Sequence, residues 1–224
     1  MAEQDYLSNF DSGWQMKDVD TAITDISKID GNRLEIGIHH ELLKGVTPRM
    51  IVWWFRNFPE DPGKEGSGCM KYRDKIIPCF RFWHPYDHIY CNIRKSGKDE
   101  SAGFSKGAEL EIKEKLGDND FGAKIFVDRL DESGFEITAY NGFLKIAEFK
   151  HYFIETLNGT ICESSAVIGS YKPVIGRAVT SFIRRRYFTD EMSQAWVKHT
   201  VEEVGNLENF LPALFELGFE NAFV

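Results

Sequence analysis

The chain has 224 residues, with 27 basic against 35 acidic side chains and a formal charge of −8. That suits one domain with a modest appendage, and 42% hydrophobic with 28% charged residues is globular rather than disordered, while the acidity argues against a nucleic-acid-binding surface. No apolar run approaches the ~18 residues of a membrane span, residues 1–11 are polar and acidic, unlike a secretory leader, and Cys69, Cys79, Cys91 and Cys162 lack zinc-ribbon or redox spacing, so reduced thiols in a cytoplasm are expected.

Residues 1–45 are polar, with short apolar clusters such as 34–38, and read as an N-terminal cap ahead of a domain spanning 46–224. Thr47-Pro48 opens a helix, because Thr47 can cap the first free N–H groups and Pro48 is tolerated in the first turn. The apolar run 50–55 continues it as a buried segment. Residues 57–68 hold two Pro and three Gly and read as a loop.

Strands follow. The run 76–83 is apolar and aromatic and stops at His84-Pro85. Further strands are expected over 108–116, 123–130, 134–140, 143–157 and 160–168, separated by turn signals that include Asn141-Gly142 and Asn158-Gly159. This predicts an antiparallel meander of about six strands. A short helix is expected over 173–186, and Thr189-Asp190 caps a long one, weakened by Gly205 and kinked or restarted at Pro212. A meander packed on a long C-terminal helix is an α+β design, and a sheet curved around such a helix leaves a cavity. Aromatic residues make up 14% of the chain, which suits an aromatic-lined pocket.

Three apolar faces carry residues that break their own pattern. On the long helix, Met192, Trp196, His199, Glu203, Leu207, Phe210 and Leu214 share one face. A carboxylate within an apolar stripe is costly unless it is paired or bound to a cation, so His199/Glu203 is either a buried hydrogen-bonded pair or half of a metal site. Glu202 falls on the face of Lys198 and reads as a solvated pair. On the strand 108–116, Leu110, Ile112, Glu114 and Leu116 point inward, with Glu114 the sole exception to an apolar face. In Phe82-Trp83-His84-Pro85-Tyr86-Asp87-His88, the face of Phe80 and Phe82 ends at His84, and Asp87 is placed to orient a nearby imidazole; the competing reading packs His84 in the core and leaves His88 exposed. His39-His40 reads as solvated surface. Two His and two Glu without thiolate suit Zn²⁺ or another borderline divalent ion.

Trp53-Trp54-Phe55, Trp83-His84-Pro85-Tyr86-Asp87-His88, Glu114 and Trp196-Val197-Lys198-His199 through Glu203, with Leu211-Pro212 beyond, resemble the 2,4-diacetylphloroglucinol hydrolase and phloretin hydrolase family over most of the chain from Val46 to Leu214. The resemblance implies a Bet v 1-like, helix-grip fold and a zinc-dependent hydrolase that cleaves a carbon–carbon bond between an acyl group and a phenolic ring. It implies His84, Glu114, His199 and Glu203 as ligands, with His88 in reserve for the first. It also implies His151, on the face of Phe149 and Phe153, as the acid–base group. Two departures are a shorter N-terminal cap and no clear match to the family's substrate-contacting Tyr and Asn, for which Tyr72, Tyr86, Tyr140 and Asn92 are the candidates. The expected partner is a small aromatic or acylphenol substrate, with room for a homodimer and no membrane or nucleic acid. The alternative is a non-catalytic helix-grip carrier of a hydrophobic or aromatic molecule, which has no need of four converging ligands.

Overall fold

A computed structural model describes residues 13–61, 67–72, 75–99, 103–170 and 176–218. The polar leader 1–11, residues 62–66 of the expected loop and the expected helix start at Pro173 lie outside them.

Nine strands form one antiparallel sheet: β1 (Ile23–Lys28), β2 (Leu34–His39), β3 (Leu43–Lys44), β6 (His88–Lys95), β7 (Glu109–Leu116), β8 (Asn119–Asp131), β9 (Gly134–Asn141), β10 (Leu144–Thr156) and β11 (Gly159–Ile168). The order is β1-β2-β11-β10-β9-β8-β7-β6, with β3 beside β11. From β6 to β11 the sheet is the expected meander, extended at β6. The N-terminal reading is corrected: β1 to β3 complete the sheet beyond β11 rather than forming a cap. Alternation in β2 places Leu34, Ile36 and Ile38 in the core, and pairing with β11, which local alternation does not reveal, makes it part of the sheet.

Register shifts between His88 and Tyr90, Val127 and Arg129, and Lys145 and Ala147 curve the sheet. Into its concave side packs α4 (Asp190–Leu217), capped by Thr189, whose hydroxyl accepts from the Met192 N–H at 3.2 Å. A curved antiparallel sheet closed around a long C-terminal helix is the expected helix-grip arrangement. The α1 helix (Pro48–Asn57) forms as expected, with Thr47 accepting from the Met50 N–H at 3.3 Å.

Neither Gly205 nor Pro212 interrupts α4. A Cβ at Gly205 would lie 2.7 Å from the Lys17 side chain, so the missing side chain admits Lys17, whose ammonium reaches Glu208 at 3.2 Å. Around Pro212, Trp54 packs edge-on against Phe210 at 4.9 Å and Trp53 against Phe215 at 5.3 Å. Burial of rings outweighs the ~3 kcal/mol of an interior proline.

The segment ahead of His84 departs from expectation. After the hairpin β4 (Cys69–Tyr72) and β5 (Lys75–Pro78), residues Cys79–Trp83 form the one-turn helix α2, so Phe80, Phe82 and His84 do not share a strand face. The aromatic run is buried on all sides, and its composition serves either conformation. A further helix, α3 (Gly176–Arg186), precedes α4.

Candidate metal centre and aromatic cavity

Between the sheet and α4 lies a cavity of about 610 Å³, its opening to solvent included. Phe55, Phe135, Phe149 and Trp196 are among its aromatic walls, and the polar groups that reach it are Glu114, His151, His199 and Glu203. Tyr72, Tyr86, Tyr140 and Asn92 are absent from that lining, and Tyr86 is 64% exposed.

Backbone pairing assembles the polar cluster. Register sets His88 on β6 opposite Glu114 on β7. The Lys115 N–H donates to the Asp87 carbonyl at 2.7 Å, holding the turn before β6 against the same strand. The Trp83 indole N–H donates to the Glu203 carbonyl at 2.8 Å, and the Asn206 amide donates to the Trp83 carbonyl at 2.7 Å, locking α2 to α4. The face read on α4 is buried as expected, with His199 2% and Glu203 8% exposed.

Four side chains converge: His88 Nε2 lies 3.4 Å from Glu203 Oε2 and 3.9 Å from Glu114 Oε1, and His199 Nε2 lies 3.6 Å from Glu203 Oε2 and 4.0 Å from Glu114 Oε2. Second partners fix both rings. His88 Nδ1–H donates to the Phe80 carbonyl at 2.7 Å, and His199 Nδ1–H donates to Asp87 at 2.9 Å. A neutral imidazole that donates from Nδ1 has a bare lone pair at Nε2. Both Nε2 lone pairs therefore face two carboxylates. His88 Nε2 is buried with no hydrogen-bond partner among the described residues.

Burial disfavours charge at these groups. It pushes the Glu114 carboxyl up to about 7, and it pushes Glu203 well above the usual carboxylate range, with Glu114 and Asp87 adding repulsion. It holds His88 well below the ordinary imidazole value, with repulsion from His199 and His84 adding to the effect. Burial is the largest single influence on Asp87 and opposes its charge, but the His199 bond together with the charges of His84, His199 and Lys198 keeps that carboxyl low. Apposed carboxylates beside two bare imidazole lone pairs, with no buried ammonium or guanidinium among them, need a cation or protons.

His84 stands beside the His88 cluster rather than in it: with Asp87 and His199 it forms a second group of donor atoms, within 4.8 Å of one another, that could hold a cation. Its Nδ1 accepts from the Asp87 N–H at 3.1 Å, so its proton sits on Nε2, which points to Glu202 at 3.4 Å and Asp87 at 3.7 Å. The reserve residue, His88, stands with Glu114, His199 and Glu203 instead. His84 stacks on His199 with centroids 4.7 Å apart and, through Asp87, supports its orientation. Glu202 is likewise more than a solvated partner of Lys198: it bonds Lys198 at 3.2 Å yet also faces His84, and its side chain is only 14% exposed.

His151 sits in the cavity wall between Phe149 and Phe153 on β10, as alternation predicts, and stacks on Phe135 at 4.3 Å. Its Nδ1 bonds the Ser164 hydroxyl at 2.7 Å. That hydroxyl meets His40 Nε2, also at 2.7 Å. The reading of His40 as solvated surface is corrected: it is 4% exposed, while neighbouring His39 is open and pairs with Glu163. Dipeptide sequence does not reveal which of two adjacent histidines turns inward; the last residues of β2 decide it by pairing His39 with Glu163 across to β11.

No known protein-family profile matches the chain, and no curated protein is significantly similar to it. Solved structures show a loose likeness. Protein Ms6760 from Mycobacterium smegmatis aligns at 10% identity and a TM-score of 0.45, over 84% of this chain and 98% of that one. Ara h 8.0201 aligns at 12% identity and 0.38, over 75% and 96%. The Polyketide_cyc-like protein Cgl2372 from Corynebacterium glutamicum aligns at 11% identity and 0.35, over 86% and 94%. No helix among the described residues is long and apolar enough to cross a membrane.

Proposed function

We propose that this chain is a zinc-dependent hydrolase that cleaves the carbon–carbon bond between an acyl group and a phenolic ring, its metal held by His88, Glu114, His199 and Glu203. One observation carries the reading: His88, His199 and Glu203 bring three donor atoms within 4.8 Å of one another, with Nδ1–H of both imidazoles committed elsewhere, and Glu114 stands 3.9 Å from His88 and 4.0 Å from His199 beside an aromatic cavity. Nitrogen and carboxylate donors without thiolate suit Zn²⁺. A cation bound there supplies Lewis acidity toward a carbonyl oxygen and acidifies water towards a pKa of ~7.

The chain's own residues supply the rest. Phe135, Phe149 and Trp196 offer flat surfaces for a ring and exclude water. Asp87 and the Phe80 carbonyl hold the two imidazoles in the tautomer that donates a lone pair. In hydrolysis, oxygen from water bonds to the acyl carbon, the acyl–ring bond breaks and the ring carbon takes a proton. His151 faces the cavity with Nδ1 engaged, which leaves Nε2 to deliver that proton.

A second reading, a carrier of an apolar aromatic molecule, is favoured by the predominance of aromatic side chains in the lining. Metal analysis after zinc-supplemented growth, paired with a screen of acylphenols, separates the two. Near-stoichiometric zinc and release of a carboxylic acid are expected. Trace metal with tight binding of an intact aromatic ligand overturns the hydrolase in favour of the carrier.

A further inference from the structure

Behind the cavity wall the hydrogen-bonded row His151–Ser164–His40 runs across two strands to the end of a third: β10 supplies His151, β11 supplies Ser164 as its register partner, and His40 stands just past β2. All three are buried, at 6%, 3% and 4% exposure. His40 follows the last residue of β2 between exposed His39 and Glu41, so the row leads from the cavity to where the chain turns out to solvent. The His40 backbone N–H donates to the Cys162 carbonyl at 3.0 Å, tying that turn to β11 two residues before Ser164.

We propose that Ser164 and His40 are positioning residues that form a proton relay behind His151, setting its tautomer and resupplying its proton. The geometry of the row is independent of the hydrolase reading; its use in turnover rests on the acid–base role assigned there to His151. One hydroxyl proton lies between His151 Nδ1 and His40 Nε2. A serine hydroxyl has a single proton to donate. If it points to His151, then His40 Nε2–H donates to the serine and His151 carries its proton on Nε2. If it points to His40, then His151 Nδ1–H donates to the serine and His40 carries its proton on Nδ1. The Cys162 sulfur lies farther from the hydroxyl, at 4.0 Å, so with the proton directed to one of the two nearer rings both hold the same tautomer, Nε2–H together or Nδ1–H together.

The first state is the one that gives up a proton. As His151 Nε2–H passes to the ring carbon, Nδ1 takes the Ser164 proton, Ser164 takes the His40 Nε2 proton, and His40 takes one at Nδ1 from water. One proton enters from solvent, one reaches the substrate, and both rings end neutral as Nδ1–H tautomers; the row resets in reverse when His151 Nε2 takes a proton from the attacking water, Nδ1 returns its proton to Ser164, Ser164 returns one to His40 Nε2, and His40 Nδ1 releases one to solvent. That neutrality matters here. Burial pushes His151 down to about 3, with repulsion from His40 adding to it, and pushes His40 down to about 3, with His39 and Lys17 adding. Neither ring keeps a proton as a cation near neutral pH, so a proton supply to His151 has to run through the hydrogen bonds.

The test is ring-nitrogen NMR of the full chain labelled with ¹⁵N-histidine, at neutral pH, alongside turnover of an acylphenol by the zinc-loaded protein. His40 and His151 should be neutral and share one tautomer. Ser164→Ala should abolish that correspondence and slow turnover about 10–100-fold, the effect typical of residues that orient a functional imidazole. Ser164→Thr should restore both by returning the hydroxyl, and His39→Gln should change neither. Opposite tautomers in the wild type, a charged His151, or a Ser164→Ala variant with full turnover overturns the relay while leaving the hydrolase. A wild type that hydrolyses no acylphenol but keeps the shared tautomer overturns the hydrolase and leaves the hydrogen-bonded row.

Discussion

Where β6 and β7 meet α4, His88 and His199 each give Nδ1–H to a fixed acceptor and present a bare Nε2 to the carboxylates of Glu114 and Glu203. On the β10 wall, His151 gives Nδ1 to Ser164, and a second imidazole stands behind the hydroxyl. The first cluster has more lone pairs than protons, and the second has a proton for every acceptor it engages. The difference teaches that burial alone does not assign a histidine's role. All four imidazoles are buried, and what separates a ligand-type ring from a proton-handling one is the partner of its other nitrogen.

The largest expected effect breaks the comparison at its first half. His88→Ala, His199→Ala and Glu203→Gln should each lose most bound zinc while keeping the fold, measured by elemental analysis of purified protein. His84→Ala should retain most of it, because the His84 lone pair is already spent on the Asp87 N–H. Glu202→Gln should also leave metal content near wild type. Loss of metal in His84→Ala with retention in His88→Ala would reverse the ligand assignment.

On the opposite wall, His151→Ala should keep its zinc and lose about 10²–10⁴ in turnover, the range of general acid–base groups. Affinity for a phenolic product should change far less, since a group that acts in the transition state adds little to ground-state binding. A metal-replete and fully active variant removes His151 from the chemistry.

The carboxylates give a pH signature. Glu114, raised by burial to about 7, is about half protonated at neutral pH in metal-free protein, and burial with repulsion from Glu114 and Asp87 raises Glu203 well above the usual carboxylate range. Metal coordination needs them ionised, so zinc affinity should climb as pH rises through 7, with protons released on binding. Calorimetry in buffers of different ionisation enthalpy reads that release. A binding enthalpy independent of buffer would mean that the carboxylates are already charged.

The smallest effect concerns acid stability. His151 is lowered from 6.5 to about 3, so the folded state resists its protonation while the unfolded chain accepts a proton below pH 6.5. Its contribution is complete above 6.5 and is lost as pH falls towards 3, at up to about 1.4 kcal/mol per pH unit. His151→Gln should flatten the fall in denaturant stability over that window by this amount. Identical slopes would place water beside the ring.

Some of this was legible in the residues. Alternation over 108–116 singled out Glu114, the three-and-four spacing from Met192 singled out His199 and Glu203, and period two placed His151 between Phe149 and Phe153. The strand expected at 76–83 became β5 and a turn of helix, because Cys79, Phe80, Phe82 and Trp83 are all buried and Arg81 alone leaves too little polar pattern to reveal a period. The choice between His84 and His88 was hidden for a different reason. Both stand in one short segment, and which one offers a lone pair depends on the Phe80 carbonyl and the Asp87 N–H.

By itself, then, the sequence determined the α+β class, the meander, the capped terminal helix and four inward polar side chains, since each follows from local periodicity and turn chemistry. Only the tertiary structure decided that residues 23–44 complete the sheet, that Lys17 crosses α4 at Gly205, that His88 meets Glu114, and that His40 lies behind Ser164. Those outcomes depend on strand register and on contacts between residues up to 191 positions apart, as with Lys17 and Glu208. The direction of a hydrogen bond across such a distance is set by which carbonyl or hydroxyl the fold brings to the ring, and local sequence does not carry that information.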